Sequence, residues 1–350
     1  MIVVPVPLSD RPYAVLIGPD VRLALAQVVA ERLGGARQAA VVTQRAIAET
    51  AWFAELDPQL PFEVHLIEDG EGAKSMGTIE ALCSAFAESG LARGDVVIAV
   101  GGGVVTDVAG FAAAAYHRGT AYVNVATTLL GQVDAAIGGK TGVNLAQGKN
   151  LAGAFWQPAA VLCDTTTLTT QSAREWACGR GEMAKYAFLS GTPDASLLDL
   201  PIDEQVARCV AIKAEVVAAD EREDGRRMIL NYGHTLAHAL EAERFGTAAD
   251  LRHGEAVAIG LVFAALLAQR LGRIDAARVD LHRRVVAGFD LVAALPEGAD
   301  PVRLLAAMAR DKKASHDLTF VLDGPAGVEA VRGVAADDVL ATLAEMGSAP

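Results

Sequence analysis

Apolar residues recur along this chain in two different rhythms. Through the first half, short runs such as "AVLIG" (14–18), "QAAVVTQ" (38–44), "FEVHLIE" (62–68) and "DVVIAVGGG" (95–103) alternate with stretches of helical spacing. Those stretches include "VRLALAQVVAERLGG", "AIAETAWFAEL" and the run from Thr78 to Gly90. Two more strand-like runs, "AYVNVATT" and "AAVLCDT", follow. Strands that alternate with helices predict a mainly parallel sheet covered on both faces. Past about residue 170 only helical periodicity remains, in "EQVARCVAIKAEVVAADE", "MILNYGHTLAHALEAE", "GEAVAIGLVFAALLAQRLG", "DAARVDLHRRVVAG" and "PVRLLAAMARDKK". The change of rhythm divides the chain into an α/β, Rossmann-like domain over 1–168 and an all-α domain over 169–350. With no low-complexity linker between them, a shared interface is expected, and a cleft there is the natural ligand site.

Composition sharpens this picture in three places. A net charge of −13 argues against nucleic acid or an anionic membrane as partner, because phosphate is repelled over a broad surface. The longest apolar run, "AVAIGLVFAALLA" (256–268), falls short of the roughly 20 residues a membrane span needs, so it predicts a buried helix. The N-terminus, "MIVVPVPLSDRPY", lacks the basic region of a secretory signal, and the scattered Cys83, Cys163, Cys178 and Cys209 form no CxxC. The expectation is a cytoplasmic protein with reduced, mostly buried thiols.

Several polar clusters interrupt the apolar pattern. "GGGVVTD" (101–107) follows a strand and opens a helix, where Gly102 and Gly103 either make a tight turn or bring backbone N–H groups to a diphosphate. "EDGEGAKS" (68–75) is an exposed turn, or a loop that sets Glu71 and Lys74 at a cofactor's ribose and phosphates. "DAAIGGKTGVNLAQGKN" (134–150) gathers Asp134, Lys140, Asn144, Lys149 and Asn150, and suits a phosphate or polyol pocket better than a solvated loop. In "GRGEMAKY", Glu182 and Lys185 share one helix face, as an exposed ion pair or as functional groups.

In "NYGHTLAHAL", His234 and His238 are spaced as metal ligands on a helix are, although Thr235 stands where a zinc protease carries Glu. On a wheel of about 100° per residue, Glu223, Arg227, Asn231, His234 and His238 fall within roughly 80°. That is a wet helix face or a functional stripe, and its Asn and His favour the second; alternatively Gly225 breaks the helix and leaves Glu223 one turn before its start. His253, in "LRHGEAV", combines with His234 and Glu182 into a His₂Glu set that leaves coordination positions open. "RDKKASHD" supplies Lys312 and Lys313, an exposed charge run or a local anion contact.

Taken in order, these motifs resemble the 3-dehydroquinate synthase family of sugar phosphate cyclases over nearly the whole chain. The blocks "ATTLLGQVDAAIGGKTGVNLAQGKNLAGAFWQP" and "NYGH…H" carry most of the resemblance. It implies an NAD-binding domain, a metal- and substrate-binding domain, and a homodimer. By position, Glu182, His234 and His253 are the implied ligands of Zn²⁺ or Co²⁺, with His238 beside the substrate phosphate instead. Implied NAD contacts are Asp69, Glu71, Lys74, Gly102, Gly103, Asp107, Thr127, Thr128, Lys140, Lys149, Thr167 and Thr170. Implied substrate contacts are Asp134, Lys140, Asn150, Lys185, Lys213, Glu223, Arg227, Asn231, His238, Lys312 and Lys313, with Arg118 reaching into a neighbouring subunit. Lys140, Glu182, Lys185, Lys213, Arg227, Asn231 and His238 are the implied catalytic set.

The implied reaction is a lyase step of the shikimate pathway, leading to aromatic amino acids. It turns 3-deoxy-D-arabino-heptulosonate 7-phosphate into 3-dehydroquinate and phosphate, with NAD oxidised and restored. Alternatives are cyclisation of sedoheptulose 7-phosphate and a metal-dependent polyol dehydrogenase. The chain departs from the family wording at Ala126, in "GEMAKYAFLSG", in "HTLAH" and in "ASHDLTF", each without loss of an implied charged or ligating residue.

Overall fold

The computed structural model describes residues 1–190, 195–244, 251–310 and 318–347. The chain divides into one compact unit of Met1–Ser172 with Pro201–Arg222, and a second of Ala173–Leu200 with Glu223–Pro350.

In the first unit, β1 (Ile2–Val6), β2 (Tyr13–Gly18), β3 (Ala39–Gln44), β4 (Phe62–Ile67), β5 (Val96–Gly101), β6 (Ala121–Ala126) and β9 (Ala160–Asp164) form one sheet. Its order is β1-β2-β9-β6-β5-β3-β4, antiparallel only between β1 and β2. The helices α1 (Leu25–Arg32), α2 (Arg45–Ala48), α3 (Met76–Glu88) and α4 (Gly103–Ala115) are the connections that parallel pairing demands. β5 is buried at every residue, as its unbroken apolar run requires of a strand covered on both sides. Val96, Ile98 and Val100 pack with Val28 and Trp52, while Val97 and Ala99 turn to Phe86, Val108 and Ala112. From β3 the order leads outward to β4 on one side and to β5 on the other. Such a reversal opens a crevice at the carboxyl ends of the strands, and the Gly101–Gly103 turn sits at the end of β5.

The 134–150 block, read above as a pocket rather than a solvated loop, carries regular structure that its polarity did not suggest. From Lys140 it forms the first part of a hairpin, β7 (Lys140–Leu145) paired with β8 (Gly148–Phe155). Gly142 and Gly153 face each other across that pair, and a Cβ on Gly153 would overlap the Thr141 carbonyl. The strand β1 was also not evident from the sequence. α6 (Ile202–Ala219) belongs to this first unit, so the first unit takes back a helix from beyond the residue-168 division expected above.

The second unit is helical, as expected. Its helices are α5 (Ala173–Leu189), α7 (His234–Arg244), α8 (His253–Arg270), α9 (Ala276–Gly288), α10 (Pro301–Arg310) and α11 (Ala336–Gly347). A hairpin of β10 (Leu318–Leu322) and β11 (Glu329–Val334) is added to them, which the apparent end of strand-like runs near residue 170 did not anticipate. α8 is the buried helix predicted from its apolar run, with every residue from Ala256 to Ala268 in the core. No described helix is long and apolar enough to cross a membrane. All four cysteines are free thiols, and Cys163, Cys178 and Cys209 are buried.

One expectation is overturned. The stripe from Glu223 to His238 does not lie on a continuous helix. Residues Arg226–Asn231 form a 3-10 segment, Tyr232 is extended, and Gly233 adopts φ 82° before α7 begins at His234. The cause is a close crossing: a Cβ on Gly233 would lie 3.0 Å from the Leu261 nitrogen, and one on Gly260 would overlap the Gly233 carbonyl. A residue with a side chain resists that backbone, so glycine ends one element and starts the next.

Candidate active site

In the second unit, the site is built at a crossing of glycines. Gly181 precedes Glu182 on α5, and Gly254 follows His253 at the start of α8. A Cβ on Gly181 would overlap the Gly254 backbone, and a Cβ on Gly254 would overlap the Cys178 carbonyl. Only hydrogen at both positions lets the helices approach closely enough for Glu182 and His253 to meet.

They do meet. Glu182 Oε1 lies 3.0 Å from His253 Nε2 and 3.2 Å from His234 Nε2. The three ligand atoms all fall within 4.8 Å of one another. Ligands about 2 Å from a tetrahedral ion are separated by roughly 3.3 Å, so a zinc-sized cation fits this geometry.

The hydrogen bond behind His234 points the same way. His234 Nδ1 donates to the Tyr232 carbonyl at 3.1 Å, and burial lowers the pKa of this imidazole. With Nδ1 donating to a carbonyl, Nε2 is the nitrogen left to bind a cation, and it faces the Glu182 carboxylate. Glu182 is itself fully buried; burial opposes its charge, but Lys185, His234 and His253 hold it well below the usual carboxylate range. Its Oε2 pairs with the Lys185 ammonium yet accepts no well-directed hydrogen bond among the described residues. Burial also opposes charge on His253, but Glu182 and Glu241 carry it up to about 10.

Around this centre Lys185, 1% exposed, donates to the Leu230 carbonyl at 3.0 Å. Arg227 is equally buried. Asn231 donates to Glu223 at 3.0 Å, so two members of the expected stripe meet across the helix break at Gly225. His238 is exposed, with its ring centre 5.6 Å from that of His234. Lys312 and Lys313 lie outside the described residues.

In the first unit, Lys74 is the organising cation. Its Nζ donates to Asp107 at 2.6 Å and to Asn150 at 2.5 Å. Asn144 donates to Glu71 and accepts from the Asn150 amide, both at 2.8 Å, which draws β7 and β8 onto the 3-10 turn Glu71–Ala73. Burial pushes the Asp107 carboxyl up to about 6 despite the ammonium beside it. Because the folded value exceeds the ordinary 3.8, the fold favours the protonated acid. The stability it contributes is complete below the unfolded pKa and is lost as pH rises through about 6. Lys74→Met, which removes the opposing cation, should raise that midpoint and enlarge the loss of stability between pH 5 and pH 8. Denaturant midpoints of wild type and variant at the two pH values check this.

Lys213 Nζ donates to Asp134 Oδ1 at 2.8 Å and to its backbone carbonyl, holding a π-helical turn, Gly131–Ala135. Local π-helix is common at functional sites. No side chain caps the N-terminus of α4 at Gly102, and a Cβ there would sit 2.8 Å from the Thr128 methyl. Thr167 donates to the Thr127 carbonyl at 3.2 Å, which joins two further members of the implied cofactor set. Asp69, Lys140, Lys149, Thr170 and Arg118 are exposed, the last in a left-handed conformation with φ 62°.

Two participants escaped sequence reasoning. The Tyr232 carbonyl has no signature in a side-chain pattern. Glu241 did carry one, because it lies seven residues after His234 and three after His238, on the same face of α7.

Comparison with known proteins finds relatives over most of the chain. The family model described as 3-dehydroquinate synthase N-terminal matches residues 64–178, and the C-terminal one matches 179–314. A protein of Amycolatopsis mediterranei named "Putative aminodehydroquinate synthase" is 52% identical over 98% of this chain and 94% of its own length. A 3-dehydroquinate synthase of a Bradyrhizobium species is 42% identical over 97% of this chain and 93% of its own. Among solved structures, 2-epi-5-epi-valiolone synthase from Streptomyces hygroscopicus, with NAD⁺ and Zn²⁺ bound, superposes with a TM-score of 0.82 at 27% identity, covering 97% of this chain and 98% of that one. A 2-deoxy-scyllo-inosose synthase reaches 0.86 at 24% identity, over 99% and 100% of the two chains, and shows the shared fold. With both family models matched in tandem across residues 64–314, this chain belongs to the 3-dehydroquinate synthase family.

Proposed function

We propose that this chain is a cytoplasmic NAD- and divalent-metal-dependent cyclase that converts 3-deoxy-D-arabino-heptulosonate 7-phosphate into 3-dehydroquinate and phosphate. The observation that carries the reading is the buried Glu182–His234–His253 cluster, in which one carboxylate oxygen lies within 3.2 Å of the Nε2 atoms of both imidazoles. The bound groups supply reversible hydride acceptance at NAD and, at a zinc or cobalt ion, acidification of a substrate hydroxyl.

The chain's own residues supply the rest. Lys185 and Arg227, both buried, offer cations in a water-poor setting where an anionic substrate gains most from them. Lys213 and Asp134 pair with each other, so Asp134 Oδ1 has a proton donor beside it when it meets a hydroxyl. His238 is exposed on the α7 face that carries His234, which suits a ring that relays a proton to or from leaving phosphate. The uncapped start of α4 and the paired Lys74 and Asp107 suit the diphosphate and ribose of NAD. The same reading expects the purified chain to sediment as a dimer, with exposed Arg118 presented to its partner copy.

A second reading of the substrate has a specific observation behind it. The relative at 52% identity bears an aminodehydroquinate name, whereas the 3-dehydroquinate synthase of Bradyrhizobium stands at 42%. Under this reading the same site cyclises a heptulosonate phosphate with an amino group in place of one hydroxyl.

Phosphate release decides the matter. Purified protein with NAD and zinc is supplied in turn with the hydroxyl substrate, its amino analogue and sedoheptulose 7-phosphate, while NADH absorbance is followed. Release from the hydroxyl substrate without lasting NADH is the expected result. Preference for the amino analogue establishes the second reading. Turnover of sedoheptulose 7-phosphate alone, or accumulation of NADH without phosphate, overturns both.

A further inference from the structure

The two histidines of the metal cluster are held from behind in different ways. His234 Nδ1 donates to a backbone carbonyl, that of Tyr232, which no side-chain substitution removes. His253 Nδ1 instead faces a side chain, with Glu241 Oε2 at 3.2 Å. Glu241 is not among the ligands and has no part in the reaction proposed above. Its carboxylate is only 12% exposed, a position at which an acid needs a partner.

On this geometry, we infer that Glu241 is a positioning residue that orients His253 and fixes its tautomer for metal binding. The inference rests on the metal reading proposed above. An imidazole that gives its Nε2 lone pair to a cation must keep its remaining proton on Nδ1. A carboxylate against Nδ1 stabilises that proton, fixes the ring plane and makes Nε2 a stronger donor. The ring is caught at both nitrogens, between Glu241 and Glu182, so its rotation is arrested before any ion arrives. α7 thereby serves the cluster twice, through His234 in its first turn and Glu241 two turns later on the same face.

A rival use of these residues exists. His238, Glu241 and His253 also bring ligand atoms within 4.8 Å of one another, so they could hold a second cation. That arrangement would strip the Nδ1 proton from a ring whose Nε2 already serves the first site. The result would be an imidazolate bridging two ions, so the positioning role is the simpler chemistry.

The test is zinc affinity, measured by competition with a chromophoric chelator, with zinc stoichiometry from elemental analysis of wild type, Glu241→Ala, Glu241→Gln and His238→Ala. The expected result is one ion per wild-type chain and an affinity about 10–100-fold weaker in Glu241→Ala. Glu241→Gln, which keeps the size and an acceptor oxygen, should recover part of the loss. It also carries the test if the alanine variant does not fold. Cobalt-substituted Glu241→Ala should show an altered visible absorption spectrum, because the ring's donor strength and angle change, whereas a purely structural role would leave it unmoved. Unchanged affinity and spectrum in both Glu241 variants overturn the inference and leave the metal reading intact. Two ions in wild type, one lost in each of Glu241→Ala and His238→Ala, overturn it in favour of the second cation site. A wild-type chain that takes up no zinc overturns the metal reading and the inference together.

Discussion

His234→Ala is expected to lose bound zinc and, with it, at least about a thousandfold in phosphate release. Glu182 Oε1 is shared between His234 and His253, and it is buried where water cannot replace a missing imidazole. Losing His234 leaves two protein ligands, fewer than the three that catalytic zinc sites retain. It also leaves the Tyr232 carbonyl without its donor, a further cost of about 1 kcal/mol.

His238→Ala is the informative companion. It lies on the same helix face but outside the Glu182 cluster, so turnover should fall while metal stays near one per chain. Elemental analysis of the two variants side by side checks the division. Equal metal loss in both would mean that His238 is itself a ligand.

The second large effect falls on a residue with no functional group. Gly254→Ala places a Cβ against the Cys178 carbonyl, backbone against backbone, in two helices that cannot yield separately. Overpacking of that kind costs about 1–3 kcal/mol where side chains can give way, and more where they cannot. The helices must part for the methyl group to fit, and Glu182 and His253, next to the crossing glycines, part with them. Both stability and zinc affinity should therefore fall in Gly254→Ala. Gly347→Ala is the control: among the described residues a Cβ there meets nothing within 4 Å, and at the end of α11 it should not lower stability. Denaturant midpoints and chelator competition on the two variants read both effects. An unchanged zinc affinity in Gly254→Ala would show that the glycine crossing does not set the ligand geometry.

Much of this protein was open to sequence reasoning because its chemistry is local. The unbroken apolar run of β5 required cover on both faces, and the run from Ala256 to Ala268 required burial; both elements are found where periodicity placed them. Glu182 and Lys185 share a helix face because three residues make nearly one turn, a fact of backbone geometry alone. The resemblance to the family needed only the order of motifs, and the matched family models confirm it.

Other features depended on distance across the fold. Periodicity could not show that Gly233 breaks the stripe, because the break answers to Gly260, which is remote in sequence. The hairpin of β7 and β8 hid behind polar residues that bond to Glu71 and Lys74 rather than to water. Asp107 owes its displaced pKa to burial that no sequence window contains. Sequence by itself determined which residue types are present and which share a local face, since both follow from covalent order and helical pitch. Tertiary structure alone decided that Gly181 and Gly254 cross, that Glu182 therefore stands between two imidazoles, and that Glu241 backs one of them. Those contacts join elements far apart in the chain, and only close packing of their backbones brings them within hydrogen-bonding range.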